Sequence, residues 1–154
     1  MSPPDDRAEE ARRHAERFQR VRAAHQTEVA EDYVELIAQL IDETGEARVV
    51  DLAGWLGVTN ATVNNTIQRL QRDGLVTTKP YRSIFLTDAG RDLAVESRKR
   101  HDIVREFLMA LGVDAETADI DAEGIEHHVS DATLEAFATY LARSTNTATG
   151  RRRS

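Results

Sequence analysis

The fold is decided by residues 50–87, which read VDLAGWLGVTNATVNNTIQRLQRDGLVTTKPYRSIFLT. The spacing of the apolar residues predicts two short helices, over Val50–Leu56 and Thr59–Asp73, with Gly57 at the break between them and Thr59 as the cap of the second. The β-branched and aromatic residues on either side of Pro80–Ser83 predict a two-stranded hairpin. A helix, a tight turn, a second helix and then a hairpin are typical of a winged helix-turn-helix domain.

The second of these helices has one apolar face, formed by Val63, Ile67 and Leu70, and one polar face that is rich in amides. Asn and Gln can form paired hydrogen bonds to adenine in the major groove, and nearby Arg and Lys suit phosphates. A plain polar surface is the alternative, but Asn is a poor helix former, so its repetition favours a role in DNA reading. The candidate DNA-contacting residues are Thr59, Asn60, Ala61, Asn64, Asn65, Gln68, Arg69, Lys79 and Arg82.

Composition excludes several classes of protein. The 154 residues include no cysteine, which rules out a disulfide framework, a thiolate zinc finger and a cysteine nucleophile. The net charge of −7 argues mildly against nucleic acid, but the stretch 59–82 is basic, while every charged residue within 111–141 is acidic. Because no apolar run is long enough for a bilayer and no signal segment follows the polar N-terminus, we expect a cytoplasmic protein without membrane contact.

Longer helices flank the winged helix-turn-helix. Apolar spacing predicts a helix over Thr27–Thr44, with Thr27 as a plausible N-cap, and another over about Thr87–Leu111. Short helices are expected within 115–128, and a last helix, with Ser130 as its cap, over Asp131–Arg143. The fold class is therefore mainly α. The predicted parts are a flexible or helical N-terminal arm (1–26), a DNA-binding domain (27–90), a helical metal-binding domain (91–143) and a disordered tail (144–154).

Three groups of potential metal ligands lie on the predicted helices. They are Asp32 with Glu35 on the first long helix, His101 on the second, and Glu123, Glu126 and His127 on one later turn. Four carboxylates and two imidazoles are enough for a pair of divalent ions with bridging carboxylates, and a set without sulfur suits Mn²⁺ or Fe²⁺. Each group has an ordinary alternative, because acidic pairs often line a solvated helix edge and a histidine on an apolar face is often a core residue.

Four segments then carry a family resemblance. They are EDYVELI at 31–37, GEARV at 45–49, RHDIVREFL at 100–108 and DAEGIEHHVS at 121–130. The chain resembles the manganese transport regulators, which form the manganese-responsive branch of the diphtheria toxin repressor family. The resemblance covers about residues 27–143, and the run EGIEHH is its most specific element.

The resemblance implies a homodimeric repressor of manganese uptake genes that binds double-stranded operator DNA, although activation of an exporter gene stays open. It implies a winged helix domain followed by an α-helical dimerisation domain, with binuclear manganese between them, two ions per subunit, and Fe²⁺ as a possible alternative. The family's ligands fall on the same six candidates. In the iron-sensing relatives a methionine and a cysteine stand at the places of Asp32 and Glu123, so the carboxylates here favour manganese.

A binuclear metal-dependent hydrolase is the rival function, because two bridged ions can activate water. Such enzymes need an open coordination position facing a substrate pocket, together with a separate acid or base. This chain has few predicted loops. All six candidate ligands lie on predicted helices and would be used to hold those helices together through the metal. We therefore expect a regulator rather than an enzyme, and no residue is assigned a catalytic role.

Overall fold

The computed structural model describes residues 4–79 and 83–150, and the side chains within 6–79 and 83–144. The described part is mainly helical, as predicted, and no helix in it combines the length and apolar character needed to cross a lipid bilayer. In chain order the elements are α1 (Pro4–Thr44), β1 (Ala47–Arg48), α2 (Val49–Leu56), α3 (Asn60–Arg72), β2 (Val76–Thr78), β3 (Ser83–Leu86), α4 (Asp88–Ala110), α5 (Ala115–Ile125) and α6 (Asp131–Gly150).

The segment that decides the fold forms the predicted winged helix-turn-helix. Gly57 ends α2 with a backbone φ of 65°, a left-handed conformation that glycine adopts without strain. Thr59 caps α3, since its side chain accepts a hydrogen bond from the Thr62 amide at 3.1 Å. The strands β2 and β3 then form the antiparallel wing, and β1 pairs with the other edge of β3. Of the predicted turn, Pro80–Arg82 lie outside the described residues.

A hydrophobic core joins α1 to the winged helix. The buried residues of α1 recur every three or four positions, because successive helical turns bring those positions to one side. The core consists of Tyr33, Val34, Leu36, Ile37, Leu40, Ala47, Leu52, Ala53, Val63, Ile67, Leu70, Val76, Ile84, Leu86 and Ala94. Removal of apolar surface from water is the main favourable term here, at about 25 cal/mol per Å². Helix α1 is therefore fixed to the DNA-reading elements by packing.

Helix α1 begins much earlier than predicted. It runs unbroken from Pro4, and proline suits a first helical turn because its missing N–H would have no partner there. Thr27, the predicted N-cap, lies inside the helix, where its hydroxyl donates to the carbonyl of Ala23 at 3.0 Å. That prediction was wrong because the preceding residues are mostly good helix formers, supported by pairs such as Glu9 with Arg12 at 2.8 Å. The N-terminal arm is therefore helical where it is described.

The second half of the chain is built on α4, which packs against α1, α5 and α6. Phe107 of α4 stacks on Phe137 of α6 with ring centroids 3.9 Å apart, and Tyr140 meets Phe107 edge-on. Aromatic pairs of this kind add about 0.5–1.5 kcal/mol beyond their burial. Where two short helices were predicted, α5 is one helix as far as Ile125, followed by a turn at 126–128.

Helix α6 is longer than predicted. Its first turn is capped by Ser130, as expected, but the helix continues to Gly150 instead of ending near Arg143. The predicted disorder is therefore wrong over 144–150, because extending an existing helix costs less than nucleating a new one. The end of the predicted tail, 151–154, lies outside the described residues.

Gly90 offers a test of the packing between α4 and the wing. It is buried, and a Cβ at this position would overlap the backbone carbonyl of Leu75. We expect Gly90→Ala to lower the free energy of unfolding by about 1–3 kcal/mol, as overpacking does, in urea titrations followed by circular dichroism. The control is Gly54→Ala, since its Cβ would enter open space in helix α2 and alanine is the better helix former. Equal stability of the two variants would contradict this packing.

Candidate metal centre and nucleic-acid interface

Three elements meet at one cluster of acidic and imidazole side chains. Helix α1 supplies Asp32 and Glu35, α4 supplies His101, and α5 with the turn after it supplies Glu123, Glu126 and His127. The structure therefore brings together all six residues that the sequence singled out as potential ligands. Two of these elements belong to the second half of the chain, and the third is tied to the DNA-reading half.

One half of the cluster centres on His101. Its Nδ1 lies 3.4 Å from Oε1 of Glu123 and 3.6 Å from Oε1 of Glu126, and ligand atoms of the three residues fall within 4.8 Å of one another. Glu35 borders this half, with its Oε1 accepting a hydrogen bond from the Ser97 hydroxyl. Burial raises the pKa of Glu35 above its usual value, and the charge of Glu123 adds to this, while the Ser97 hydrogen bond opposes it.

The other half of the cluster centres on His127. Its Nε2 lies 3.2 Å from Oδ1 of Asp32 and 3.5 Å from Oε1 of Glu126. Ligand atoms of Glu28, Asp32 and His127 also fall within 4.8 Å of one another. Because the same oxygen of Glu126 faces both imidazoles, this carboxylate lies between the two halves.

Each imidazole is held by a second carboxylate that lies outside the six. Nδ1 of His127 pairs with Oε2 of Glu31 at 2.6 Å, and Nε2 of His101 pairs with Oδ1 of Asp119 at 3.0 Å. A carboxylate on one ring nitrogen keeps a proton at that nitrogen and leaves the other nitrogen as a potential ligand. The other ring nitrogens, Nδ1 of His101 and Nε2 of His127, both face the middle of the cluster.

Glu126 is the buried acid at that middle. Its side chain is 1% exposed, and within the described residues neither of its carboxylate oxygens, nor Nδ1 of His101, has a hydrogen-bond partner. Arg100 fixes the surrounding turn by donating to the backbone carbonyls of Glu126 at 3.0 Å and Val129 at 2.9 Å. Buried polar atoms without partners are costly. An imidazole nitrogen and a carboxylate in this state, facing each other, fit a bound cation.

The environment also shifts proton affinities in the cluster. Burial, with the negative charge of Glu35, raises the pKa of Glu126 to about 8 against the opposing charge of His127. Burial alone would lower the pKa of His127, but hydrogen bonds to Asp32 and Glu31 outweigh it and raise this pKa to about 10. At neutral pH in the metal-free protein, Glu126 is therefore an uncharged acid and His127 is a positively charged imidazolium. Since ligands must be deprotonated, metal binding is expected to release protons.

Sequence reasoning missed the residues that support the six candidates. These are Glu28, Glu31, Ser97, Arg100 and Asp119. Glu28 lies four residues before Asp32, and Asp119 four before Glu123, so helical spacing was a usable signal for both. No local pattern marks Ser97 or Arg100, because their partners are distant in the sequence and meet them only in the folded chain.

The polar face of α3 is open to solvent, as the amide pattern predicts. Its apolar residues Val63, Ile67 and Leu70 are buried. The predicted DNA-contacting residues Thr59, Asn60, Ala61, Asn64, Asn65, Gln68 and Arg69 are all exposed. Lys79, after β2, is exposed with its Nζ 4.8 Å from the centroid of the Phe85 ring, while Arg82 lies outside the described residues. Helix α2 packs against α3, and the amide side chains of α3 are open to solvent.

Comparisons with known proteins cover both halves. The family models for the iron-dependent repressor match residues 25–84 as its N-terminal DNA-binding domain and 87–153 as its metal-binding and dimerisation domain. The transcriptional regulator MntR of Escherichia coli O157:H7 is 55% identical over 124 residues, which are 80% of each chain. The chain belongs to the manganese transport regulators of this repressor family. MntR of Bacillus subtilis (strain 168) is 41% identical over 100 residues, 65% of this chain and 70% of that protein.

Solved structures agree with this membership. A manganese-dependent transcriptional repressor in complex with manganese aligns with a TM-score of 0.66 at 30% identity, over 73% of this regulator and 52% of that chain. The manganese regulator SloR aligns with a TM-score of 0.65 at 27% identity, over 73% and 53%. This regulator therefore spans about half the length of these two solved chains.

Family membership decides between the two functions considered from the sequence. The family consists of transcriptional regulators, so this chain is a metal-dependent DNA-binding regulator and not an enzyme. The hydrolase alternative has no support. The predicted domain boundary at residue 90 falls in the first turn of α4, shortly after the second family model begins to match.

The raised pKa of Glu126 predicts how the metal-free regulator responds to pH. In the unfolded chain this acid ionises near its usual 4.5, whereas in the folded protein it keeps its proton to about pH 8. The unfolded state thus gains from ionisation first, and the free energy of unfolding falls as pH rises from about 4.5 to about 8. Glu126→Gln removes this titration and is expected to flatten the fall, in urea unfolding with chelator present.

Glu135→Gln is the matched control, because it removes an exposed carboxyl from α6 and should leave the pH dependence as in the parent. Some decline will persist in Glu126→Gln, because the raised pKa of Glu35 acts in the same direction above about pH 4.5 and the raised pKa of His127 does so above pH 6.5. If Glu126→Gln and the parent lost stability equally between about pH 4.5 and 6.5, Glu126 would not hold the proton assigned to it.

Proposed function

We propose that this regulator represses manganese uptake genes when Mn²⁺ is plentiful, acting in the cytoplasm as a homodimer on double-stranded operator DNA. Each subunit would hold two Mn²⁺ ions through Asp32, Glu35, His101, Glu123, Glu126 and His127. The observation that carries the proposal is the position of Glu126, whose Oε1 faces His101 at 3.6 Å and His127 at 3.5 Å. A carboxylate between two donor groups is suited to bridging two ions.

The chemistry of the donors favours manganese. Carboxylate and imidazole ligands without thiolate suit Mn²⁺ and also accept Fe²⁺, while softer ions prefer sulfur. Two similar solved proteins are a manganese regulator and a manganese-dependent repressor in complex with manganese. Fe²⁺ is therefore the second ion to compare in any binding experiment.

Metal binding would be coupled to DNA binding because the metal ligands lie on helices from both halves of the chain. A bound divalent cation supplies the positive charge that offsets the clustered carboxylates. Asp32 and Glu35 lie on α1, whose other face packs in the core that also contains the apolar residues of α3, whereas the remaining donors lie on α4, on α5 and in the turn after α5. With the cluster held together, α1 cannot shift relative to the dimerisation domain. The two recognition helices of a dimer are then held at one spacing, near a helical turn of DNA or ~34 Å.

The two halves of the chain would have different roles. The winged helix domain (27–90) would read DNA, with α3 in the major groove and Lys79 and Arg82 of the wing near phosphates. The region 91–143 would supply the dimer contacts and most of the metal donors. Reciprocity requires that operator DNA tighten metal binding by the factor with which metal tightens DNA binding.

A direct test is fluorescence anisotropy with a labelled duplex selected from a random pool by the Mn²⁺-treated protein. We expect Mn²⁺ to raise DNA affinity by about 5- to 150-fold over chelator, the usual range of such coupling. Mg²⁺ at the same concentration is the control for a general effect of divalent charge. Equal affinity with Mn²⁺ and with chelator would contradict the proposed function.

The metal selectivity is tested by Glu123→Cys, which places a thiolate among the donors. We expect the preference among activating ions to move from Mn²⁺ toward Fe²⁺ or Co²⁺, because these bind sulfur better. The readout is DNA anisotropy across a series of ions under reducing conditions. Asp121→Cys, exposed on the same helix, is the control for a new thiol outside the cluster. An unchanged order of ions in Glu123→Cys would count against its assignment as a ligand.

The DNA-reading role is tested by Asn65→Ala on the exposed face of α3. Loss of a paired hydrogen bond to a base should weaken operator binding by about 1–3 kcal/mol, while Mn²⁺ affinity and the dimer stay unchanged. Gln39→Ala removes an exposed amide from α1 and serves as the control. If Mn²⁺-loaded Asn65→Ala bound the duplex as tightly as the parent, Asn65 would not read a base.

A further inference from the structure

The early start of α1 brings one more carboxylate to the metal centre. Glu28 lies one helical turn before Asp32, and ligand atoms of Glu28, Asp32 and His127 fall within 4.8 Å of one another. Its side chain is 23% exposed, so it sits at the rim of the cluster instead of in open solvent. If α1 began at Thr27, as the sequence predicts, Glu28 would lie in a fraying first turn.

Two imidazoles hold the Glu28 carboxylate in place. Its Oε2 lies 3.0 Å from Nδ1 of His25, on the preceding turn of α1, and 3.4 Å from Nε2 of His128, in the turn after α5. The carboxylate is therefore fixed from both the helix and the facing turn. Exposed ion pairs such as these add little stability by themselves, typically ~0–1 kcal/mol, so stability does not account for the arrangement.

The balance of charge around His127 points to a cation. Nδ1 of this imidazole is already occupied by Glu31 at 2.6 Å, while Nε2 faces Asp32 at 3.2 Å and Glu126 at 3.5 Å. Glu28 adds a further carboxylate to this side, so one imidazole faces several acids. When Nε2 gives up its proton to bind metal, these carboxylates repel one another unless a divalent cation lies among them.

We propose that Glu28 is a further metal ligand, completing the half of the centre formed by Asp32 and His127, and that His25 is a positioning residue for its carboxylate. The inference rests on the proposed metal-dependent function and extends it to the N-terminal part of α1. Part of the predicted arm would then belong to the metal sensor, because α1 must be helical before Thr27 to present Glu28 and His25 together.

The test measures Mn²⁺ binding directly, by electron paramagnetic resonance of free Mn²⁺ in titrations of the full chain. Glu28→Gln keeps the size of the side chain but removes its charge. We expect it to weaken one of the two Mn²⁺ ions by about 10-fold or more, as loss of a metal-supporting group does, while the other ion binds as before. His25→Ala should give a smaller loss in the same ion.

Glu10→Gln is the matched control, since it removes the same charge from an exposed position of the same helix, away from the cluster. Equal Mn²⁺ affinities for Glu28→Gln and Glu10→Gln would overturn the assignment of Glu28. A weaker affinity accompanied by loss of helical circular dichroism in chelator would also overturn it, because Glu28 would then be a structural residue. If the parent itself binds no Mn²⁺, the proposed function fails, which is a different result from failure of Glu28→Gln alone.

Discussion

The structure depends on a buried carboxylate that the protein itself does not satisfy. Glu126 lies where α1, α4 and the turn after α5 meet, and its oxygens have no hydrogen-bond partner within the described residues. Burial of an acid in this state is tolerable when it keeps its proton or when a cation takes the proton's place. Glu126 can therefore be protonated in a metal-free cluster, or ionised in a cluster that holds a metal ion. Asp119 and Glu31 each pair with one ring nitrogen of His101 and His127, which leaves the other ring nitrogen facing the cluster as a potential metal ligand.

In the proposed mechanism, helix α1 links the metal centre to the DNA-reading half. One side of α1 carries Asp32 and Glu35 at the centre, and the other side packs in the core that also contains the apolar residues of α3. A packed core does not deform continuously, so displacement at one side of the helix is transmitted to the other. The metal state can therefore influence DNA binding with no ligand near the DNA. In the proposed mechanism the amide face of α3 is exposed with and without metal, and the metal changes how firmly α3 is held.

Sequence reasoning recovered the winged helix-turn-helix and the six clustered side chains, because both follow from local periodicity. Thr59 and Ser130 were identified as caps for the same reason. The early start of α1 was missed, since Thr27 resembles a cap although nothing around it breaks the helix. Glu31 and Asp119 were missed because their importance arises from contacts with His127 and His101 across 96 and 18 positions of the chain. Periodicity gives the face of a helix, whereas the partner on the opposite helix is decided by tertiary packing.

Anomalous scattering at the manganese absorption edge, from crystals of the Mn²⁺-loaded protein, would count the bound ions and locate them. We expect two peaks per subunit, one beside His101 and Glu123 and one beside His127 and Asp32, with Glu126 in contact with both. A single peak, or manganese bound away from Glu126, would contradict a carboxylate shared by two ions.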